Sequence, residues 1–330
     1  MSSSLPDILP MQSYLRELVW GGRRLASLGK ELPAGDVPIG ESFEVSALPG
    51  QQSVVATGEL AGRSLIELID EYEAELVGNA VWQQYGHEFP LLIKLIDAHQ
   101  DLSIQVHPDD AHARAEGLGR YGKTEAWYIL DSKGGRIAMG LQLETNPESL
   151  RQAIAEGRAE DQVTFHDIRA GDVAFVPAGT VHALCAGVLL YEVQQSSDLT
   201  FRLYDYDRPG LDGRKRELHV DRALAVADFE SRPSPVSAAD GDEVVLVDAD
   251  PFCLVRHRRT EATLETGPTF AVITVIGDSP VAVAGDWGQV PLAPGGTALV
   301  PAGRTVEMRS AAEDGTATWL VATPGTGFRT

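Results

Sequence analysis

Cysteine is almost missing from the chain. Cys185 and Cys253 are its only two, and both sit in apolar runs, His-Ala-Leu-Cys-Ala and Pro-Phe-Cys-Leu-Val. A disulfide framework is excluded, and both are expected to be buried, reduced thiols. Positive charge is also scarce, with 27 Lys and Arg against 48 Asp and Glu for a formal net charge of −21. Such a surface repels nucleic-acid phosphates and offers no basic face for counterion-release binding, so nucleic acid is not an expected partner. An anionic small substrate would be repelled too, and any phosphate site must be a local cluster of Lys and Arg that overrides the global field. No apolar run reaches the length of a bilayer-spanning helix, about 18 residues. Met1 to Pro10 lacks the basic start and apolar stretch of a secretory signal. The expectation is a cytoplasmic protein with no membrane partner.

Apolar residues are plentiful, 43% of 330, enough for one large core or two medium ones. Short β-branched or aromatic stretches dominate the chain: 53–57, 91–96, 102–106, 125–130, 173–176, 189–195, 200–204, 243–247, 252–256, 270–276 and 298–300. Gly, Pro and Asp separate them, as expected of strands. Helical patterns interrupt at 64–73, which reads as an amphipathic packing helix, and at 146–156, where Asn146-Pro147-Glu148 suits an N-cap followed by Pro in the first turn. The Pro-, Ser- and Ala-rich stretch 230–242 reads as a linker between a unit at 1–229 and a second at 243–330.

An internal echo relates the two units. Gly171-Asp-Val-Ala-Phe-Val-Pro-Ala-Gly-Thr-Val-His182 returns as Gly295-Gly-Thr-Ala-Leu-Val-Pro-Ala-Gly-Arg-Thr-Val306. Each is a strand entered from a Gly turn and ended by a Pro-x-Gly turn. A duplicated unit is expected, the second copy having Val306 where the first has His182.

The first copy resembles the second conserved motif of the cupin superfamily, whose histidine ligates a metal inside the barrel. The expected fold is therefore mainly β: a cupin-type β-barrel (jelly roll) with helical decoration, plus a second degenerate cupin-like β domain. Alternation in Leu102-Ser-Ile-Gln-Val-His107 puts Ser103, Gln105 and His107 on one face, and in Lys123-Thr-Glu-Ala-Trp127 it aligns Lys123, Glu125 and Trp127. Gln105, His107, Glu125 and His182 thus offer one amide oxygen, two imidazoles and one carboxylate. These suit a zinc ion acting as Lewis acid with one open position, one ion per chain, although iron or manganese would accept the same donors. His99, His112 and His166 are expected to be surface or turn histidines.

The run from Pro90 to Asp110, with Ile104-Gln-Val-His-Pro108 at its centre, and then Gly122-Lys-Thr-Glu-Ala-Trp127, resembles the signature of type I mannose-6-phosphate isomerases, in particular their short bacterial form. The likeness extends to Val19-Trp-Gly-Gly22, to Ile39-Gly-Glu-Ser-Phe-Glu-Val-Ser46 and to Gln194 through Asp205, about residues 15 to 220 in all. It implies zinc at the positions matching Gln105, His107, Glu125 and His182, and an essential arginine at the position matching Arg202. Longer members carry Lys-Pro-Glu where this chain has Lys123-Thr-Glu125, and a large helical insert that the segment after Leu141 only partly replaces. Metal binding should survive these departures, while substrate range can differ.

Interconverting an aldose and a ketose phosphate moves a proton between C1 and C2 through an enediol, and needs a base, an electrophile and a grip on phosphate. Arg202 is expected to stabilise the enediolate, with Lys123 or Glu192 near the proton in transit. Ser103, Lys94 and Arg208 are the candidates for holding substrate. The alternating run Gln194, Ser196, Asp198, Thr200, Arg202 gives Arg202 one polar face to share, with an Arg202–Asp205 ion pair as the competing arrangement. The partner expected is a small sugar phosphate, on a monomer or weak homodimer. The near alternative is an isomerase of free mannose or another hexose phosphate. An iron cupin oxygenase is disfavoured by Gln105-x-His107 in place of His-x-His, and a non-catalytic sugar-binding cupin by the full set of ligands and Arg202.

Overall fold

The computed structural model describes residues 4–312 and 315–328. Its strands build four sheets that pair into two sandwiches, and alternation within each strand explains the stacking. In the strand Leu91–Ala98 every residue is buried: Leu91, Ile93 and Leu95 join the core shared with the second sandwich, while Ile96 and Ala98 join the interior of the first. The strand Val188–Gln195 divides in the same way, with Leu189, Tyr191 and Val193 on one side and Val188 and Leu190 on the other. Both strands are central to their sheet and covered on both faces, hence their near-continuous apolar sequence.

The first sandwich faces a long sheet against a short one. The long sheet runs Val236–Ser237, Asp172–Val176, Glu125–Asp131, Val188–Gln195, Leu91–Ala98, Tyr14–Gly22 and Ile39–Val45, the last also pairing with Leu91–Ala98. The short sheet runs Phe201–Tyr204, Ile104–Val106, His182–Leu184, Arg136–Leu141 and Val163–Asp167. The two face each other without closing, so the expected cupin-type barrel is an open sandwich. Behind the short sheet, Ile104, Val106 and Phe201 pack against Leu150 and Ala223 of the helices Pro147–Ala155 and Val220–Val226. The second sandwich, built mainly from residues after 242, has its own apolar interior around Ile273, Val283, Met308 and Trp319. Val306 lies in that interior, 1% exposed.

Two connections cross between the sandwiches. Leu9–Gln12 pairs antiparallel with Thr297–Val300 of the second, and Val236–Ser237, inside the linker-like stretch, pairs with Asp172–Val176 of the first. The helix Leu65–Val77 covers the shared core with Leu68, Ile69, Tyr72 and Leu76. Ser64 caps it in a reciprocal capping box with Glu67. It continues past the expected end at Glu73, across a kink where Glu73 takes φ 46°. Asn146 likewise caps the helix Pro147–Ala155, with Pro147 in its first turn. No helix of the described residues is long and apolar enough to cross a membrane.

Candidate active site

Register across the two facing sheets places the site. On the short sheet Arg202, Gln105, His182 and Met139 lie side by side on four neighbouring strands. On the long sheet Trp127, Glu192, Lys94 and Phe43 form the opposing row, and Arg16 stands opposite Glu41 at the edge. Lys123, Glu125 and Trp127 share one face as the alternation predicts, because Glu125 opens its strand directly after the Gly122–Thr124 turn.

His107, Glu125 and His182 converge, their ligand atoms all lying within 4.8 Å of one another, and all three are buried. His182 Nε2 is 3.2 Å from Glu125 Oε1, and His107 Nε2 is 3.6 Å from Glu125 Oε2. Each imidazole donates its Nδ1 proton to a backbone carbonyl, His107 to Leu199 at 2.7 Å and His182 to Thr180 at 2.8 Å. A carbonyl can only accept, so both rings present an Nε2 lone pair to the cluster, the tautomer a metal ligand needs. Burial, then Lys123 and His182, push His107 well below its usual range. Burial also lowers His182, against the pull of Glu125. Neutral rings, a buried carboxylate and outward-tethered Nδ1 atoms fit a divalent cation.

Gln105 completes the group. Its Nε2 lies 3.3 Å from His182 Nε2, while its Oε1 accepts from Ser103 Oγ at 3.2 Å. Turning the amide by 180° exchanges the two atoms, and the Ser103 hydroxyl satisfies either orientation by donating or accepting. Lys123 Nζ lies 2.7 Å from Glu125 Oε2 and 3.1 Å from His107 Nε2, so an ammonium already reaches the ligand atoms.

Beyond the cluster runs a ladder of charge. Trp127 stands edge-on to His182, its ring 5.5 Å away, and donates from Nε1 to Glu192 Oε2 at 2.8 Å. Glu192 Oε1 meets Lys94 Nζ at 2.9 Å, and Lys94 lies 3.6 Å from Glu41, which in turn holds Arg16 at 2.9 Å. Burial alone would raise the Glu192 carboxyl, but Lys94 and Lys123 outweigh it and keep it below the usual glutamate range. Burial disfavours charge on Lys94 as well, yet Glu192 and Glu41 raise its pKa. Both groups are therefore charged at neutral pH.

Arg202 has its backbone fixed by His219, whose N–H donates to the Arg202 carbonyl at 2.7 Å. Among the described residues its guanidinium carries no ion pair, and its buried Nε has no partner. Burial and the nearby Arg216 lower its pKa. Asp205 pairs instead with Arg208 and Arg216, leaving the competing Arg202–Asp205 pair unformed. The two end nitrogens of Arg208 are held by Asp205 and by the Asp101 carbonyl. The single polar face expected from Gln194 to Arg202 is broken, because the strand ends at Gln195 and the next begins at Phe201. Pro90 and Gln195 carbonyls bind the intervening Ser196 and Ser197 amides and turn the chain between sheets. Glu41 and Arg16 were not singled out in sequence. The available signal was a Glu within a segment shared with the isomerases, and a cation in alternation with Leu15 and Glu17. His166 bonds the Met139 carbonyl and His112 stands in a short surface helix, both apart from the cluster.

Fold and cluster together define a cupin with a buried histidine–glutamate–histidine site able to hold a metal. Comparison with known proteins narrows that class. The profile of the phosphomannose isomerase type I catalytic domain matches residues 8–143. The mannose-6-phosphate isomerase of Streptococcus mutans is 36% identical over 288 residues, covering 84% of this chain and 88% of that one. One from Bacillus subtilis is 42% identical over 219 residues, 66% of this chain and 67% of that one. A crystal structure of the Bacillus subtilis enzyme matches with TM-score 0.84 at 32% identity, covering 96% of this chain and 99% of that one. The apo form of the Salmonella typhimurium mannose 6-phosphate isomerase shares the fold, with TM-score 0.77 at 18% identity over 98% of this chain and all of that one. The chain belongs to the type I phosphomannose isomerases, a family of aldose–ketose isomerases.

Proposed function

We propose that this chain interconverts mannose 6-phosphate and fructose 6-phosphate through an enediol, with zinc held by Gln105, His107, Glu125 and His182. The observation that carries this reading is the buried His107–Glu125–His182 cluster, both Nε2 atoms turned inward, with Lys123 and Glu192 on the same wall. When bound, zinc supplies Lewis-acid polarisation of the sugar's hydroxyl and carbonyl oxygens. The chain supplies the rest. Glu192 or Lys123 takes the C2 proton of the open-chain aldose and returns it to C1. Charged Glu192 is ready to accept, whereas a lysine accepts a proton only as the neutral amine. Arg202, which forms no ion pair among the described residues, faces the negative charge that develops as the enediolate forms. Ser103 supports Gln105 and the substrate side of the cluster. Lys94 acts through its pair with Glu192, and Arg208 braces the rim beside Arg202. All of these residues fall within 1–229, and we assign 243–330 a non-catalytic role.

The test is turnover of mannose 6-phosphate by the purified protein, stripped by chelator and reloaded. Activity lost on chelation and restored by zinc supports the reading. Inactivity of a folded, zinc-loaded sample, with turnover of free mannose or another hexose phosphate, overturns the substrate and keeps the class.

A further inference from the structure

Each of the two sheets around the metal cluster contains a strand that carries an arginine. Arg16 lies on Tyr14–Gly22 of the long sheet, and Arg202 on Phe201–Tyr204, the edge strand of the short one. The segment between Gln195 and Phe201 connects the central strand Val188–Gln195 of the long sheet to that edge strand and carries Asp198. Arg16 Nη1 lies 2.9 Å from Glu41 Oε2 and 3.8 Å from Asp198 Oδ1. Its guanidinium also packs 5.1 Å from the centre of the Phe43 ring, which Lys94 Nζ approaches at the same distance. One face of Arg16 is thus fixed while its side chain remains 25% exposed.

Two other cations, Lys94 and Arg208, are more tightly held. Lys94 is enclosed by Glu192 and Glu41 and is 4% exposed. Arg208 spends its end nitrogens on Asp205 and Asp101. Arg202 has no ion pair among the described residues, and Arg16 has a weak, long contact to a carboxylate that is itself 51% exposed. Arg16, Lys94 and Arg202 balance Glu41, Glu192 and Asp198. Once Asp198 turns to solvent, one positive charge is left over, the local excess that a phosphate site needs on so acidic a protein.

We propose that Arg16 is the grip for the substrate's phosphate, beside Arg202 at the reacting carbons, and that Asp198 is the counter-ion the phosphate displaces from Arg16. Glu41 sets the fork of Arg16, and Lys94, enclosed by Glu41 and Glu192, does not compete for the anion. This deepens the sugar-phosphate reading and rests on it for the identity of the ligand.

The test uses zinc-loaded full-length protein, with inorganic phosphate titrated calorimetrically and mannose 6-phosphate kinetics measured in parallel. Arg16→Gln should weaken phosphate binding about 10-fold and raise KM more than it lowers kcat, as loss of one charge-assisted hydrogen bond implies. Arg16→Lys should recover part of the affinity. Asp198→Asn should bind phosphate more tightly than the wild type, a gain that misfolding cannot produce. Phosphate affinity and KM unchanged in a folded Arg16→Gln variant overturn the grip, as does a wild type that binds no phosphate. Arg16-dependent phosphate binding without mannose 6-phosphate turnover upholds the grip and removes the proposed substrate instead.

Discussion

Lys123 touches two of the three clustered ligands, Glu125 at 2.7 Å and His107 at 3.1 Å, yet its own chain connection runs through a turn rather than a strand. A cation so placed can relay a proton or merely neutralise Glu125, and replacement by an isosteric apolar side chain separates the two. Lys123→Met should lower kcat by about 100-fold or more, the size of a general acid–base contribution, while metal analysis still finds one zinc per chain. Turnover within about 10-fold of wild type would take Lys123 out of proton transfer. At this scale the sequence was informative wherever a residue type is costly to bury without purpose. Glutamate at 125, lysine at 123 and histidine at 107 stand out within or beside apolar strands. Arg16 did not, because an arginine in a half-exposed strand reads as ordinary surface.

The turn that carries Lys123 is held by a lattice of side chains that strand patterns do not reveal. Gln195 Oε1 accepts from the Thr124 amide at 2.9 Å, and its Nε2 donates to Asp110 Oδ1 at 3.0 Å. Asp110 Oδ1 also takes the Gly122 amide at 2.7 Å, and Thr124 Oγ1 takes the Ala178 amide at 3.2 Å in the turn leading to His182. One glutamine therefore ties the Lys123–Glu125 element to the His182 element. A Cβ on Gly122 would lie 2.3 Å from the Pro108 carbonyl, so the turn can pass there only as glycine. Gln195→Leu leaves the Thr124 amide and Asp110 short of partners, a cost of about 1–3 kcal/mol. Thermal unfolding should show the loss, and kcat should fall with zinc still bound. Unchanged kcat would mean that the turn holds its shape without Gln195. Central strands such as Leu91–Ala98 were legible from composition because both faces are apolar. Ile39–Val45 was not, since Gly40, Glu41, Ser42 and Glu44 interrupt it with polar groups that find partners only in the folded sheets.

Glu44 is the point where the two sandwiches meet through charge rather than apolar contact. It is wholly buried and accepts from Ser42 at 2.7 Å, from Lys30 at 2.6 Å and from Thr297 of the second sandwich at 3.1 Å. Lys30 also donates to the Gly295 carbonyl at 2.6 Å. Around this point Leu91, Ile93, Val272 and Leu320 belong to one continuous core. None of this was visible in sequence. The Pro- and Ser-rich stretch 230–242 and the Gly171/Gly295 echo suggest separable halves, whereas pairing between Leu9 and Leu299 depends on residues too distant for any local pattern to record. A core shared across the boundary predicts one cooperative unit. Removing Glu44 strands the Lys30 ammonium, which is 11% exposed, and breaking such a buried pair costs about 3–5 kcal/mol. Calorimetry of Glu44→Ala should therefore show a single transition at a lower Tm, because the apolar contacts still couple the halves. Two resolved transitions, with the second sandwich melting apart from the first, would show that the ionic contact at Glu44, rather than the shared core, makes the molecule fold as one.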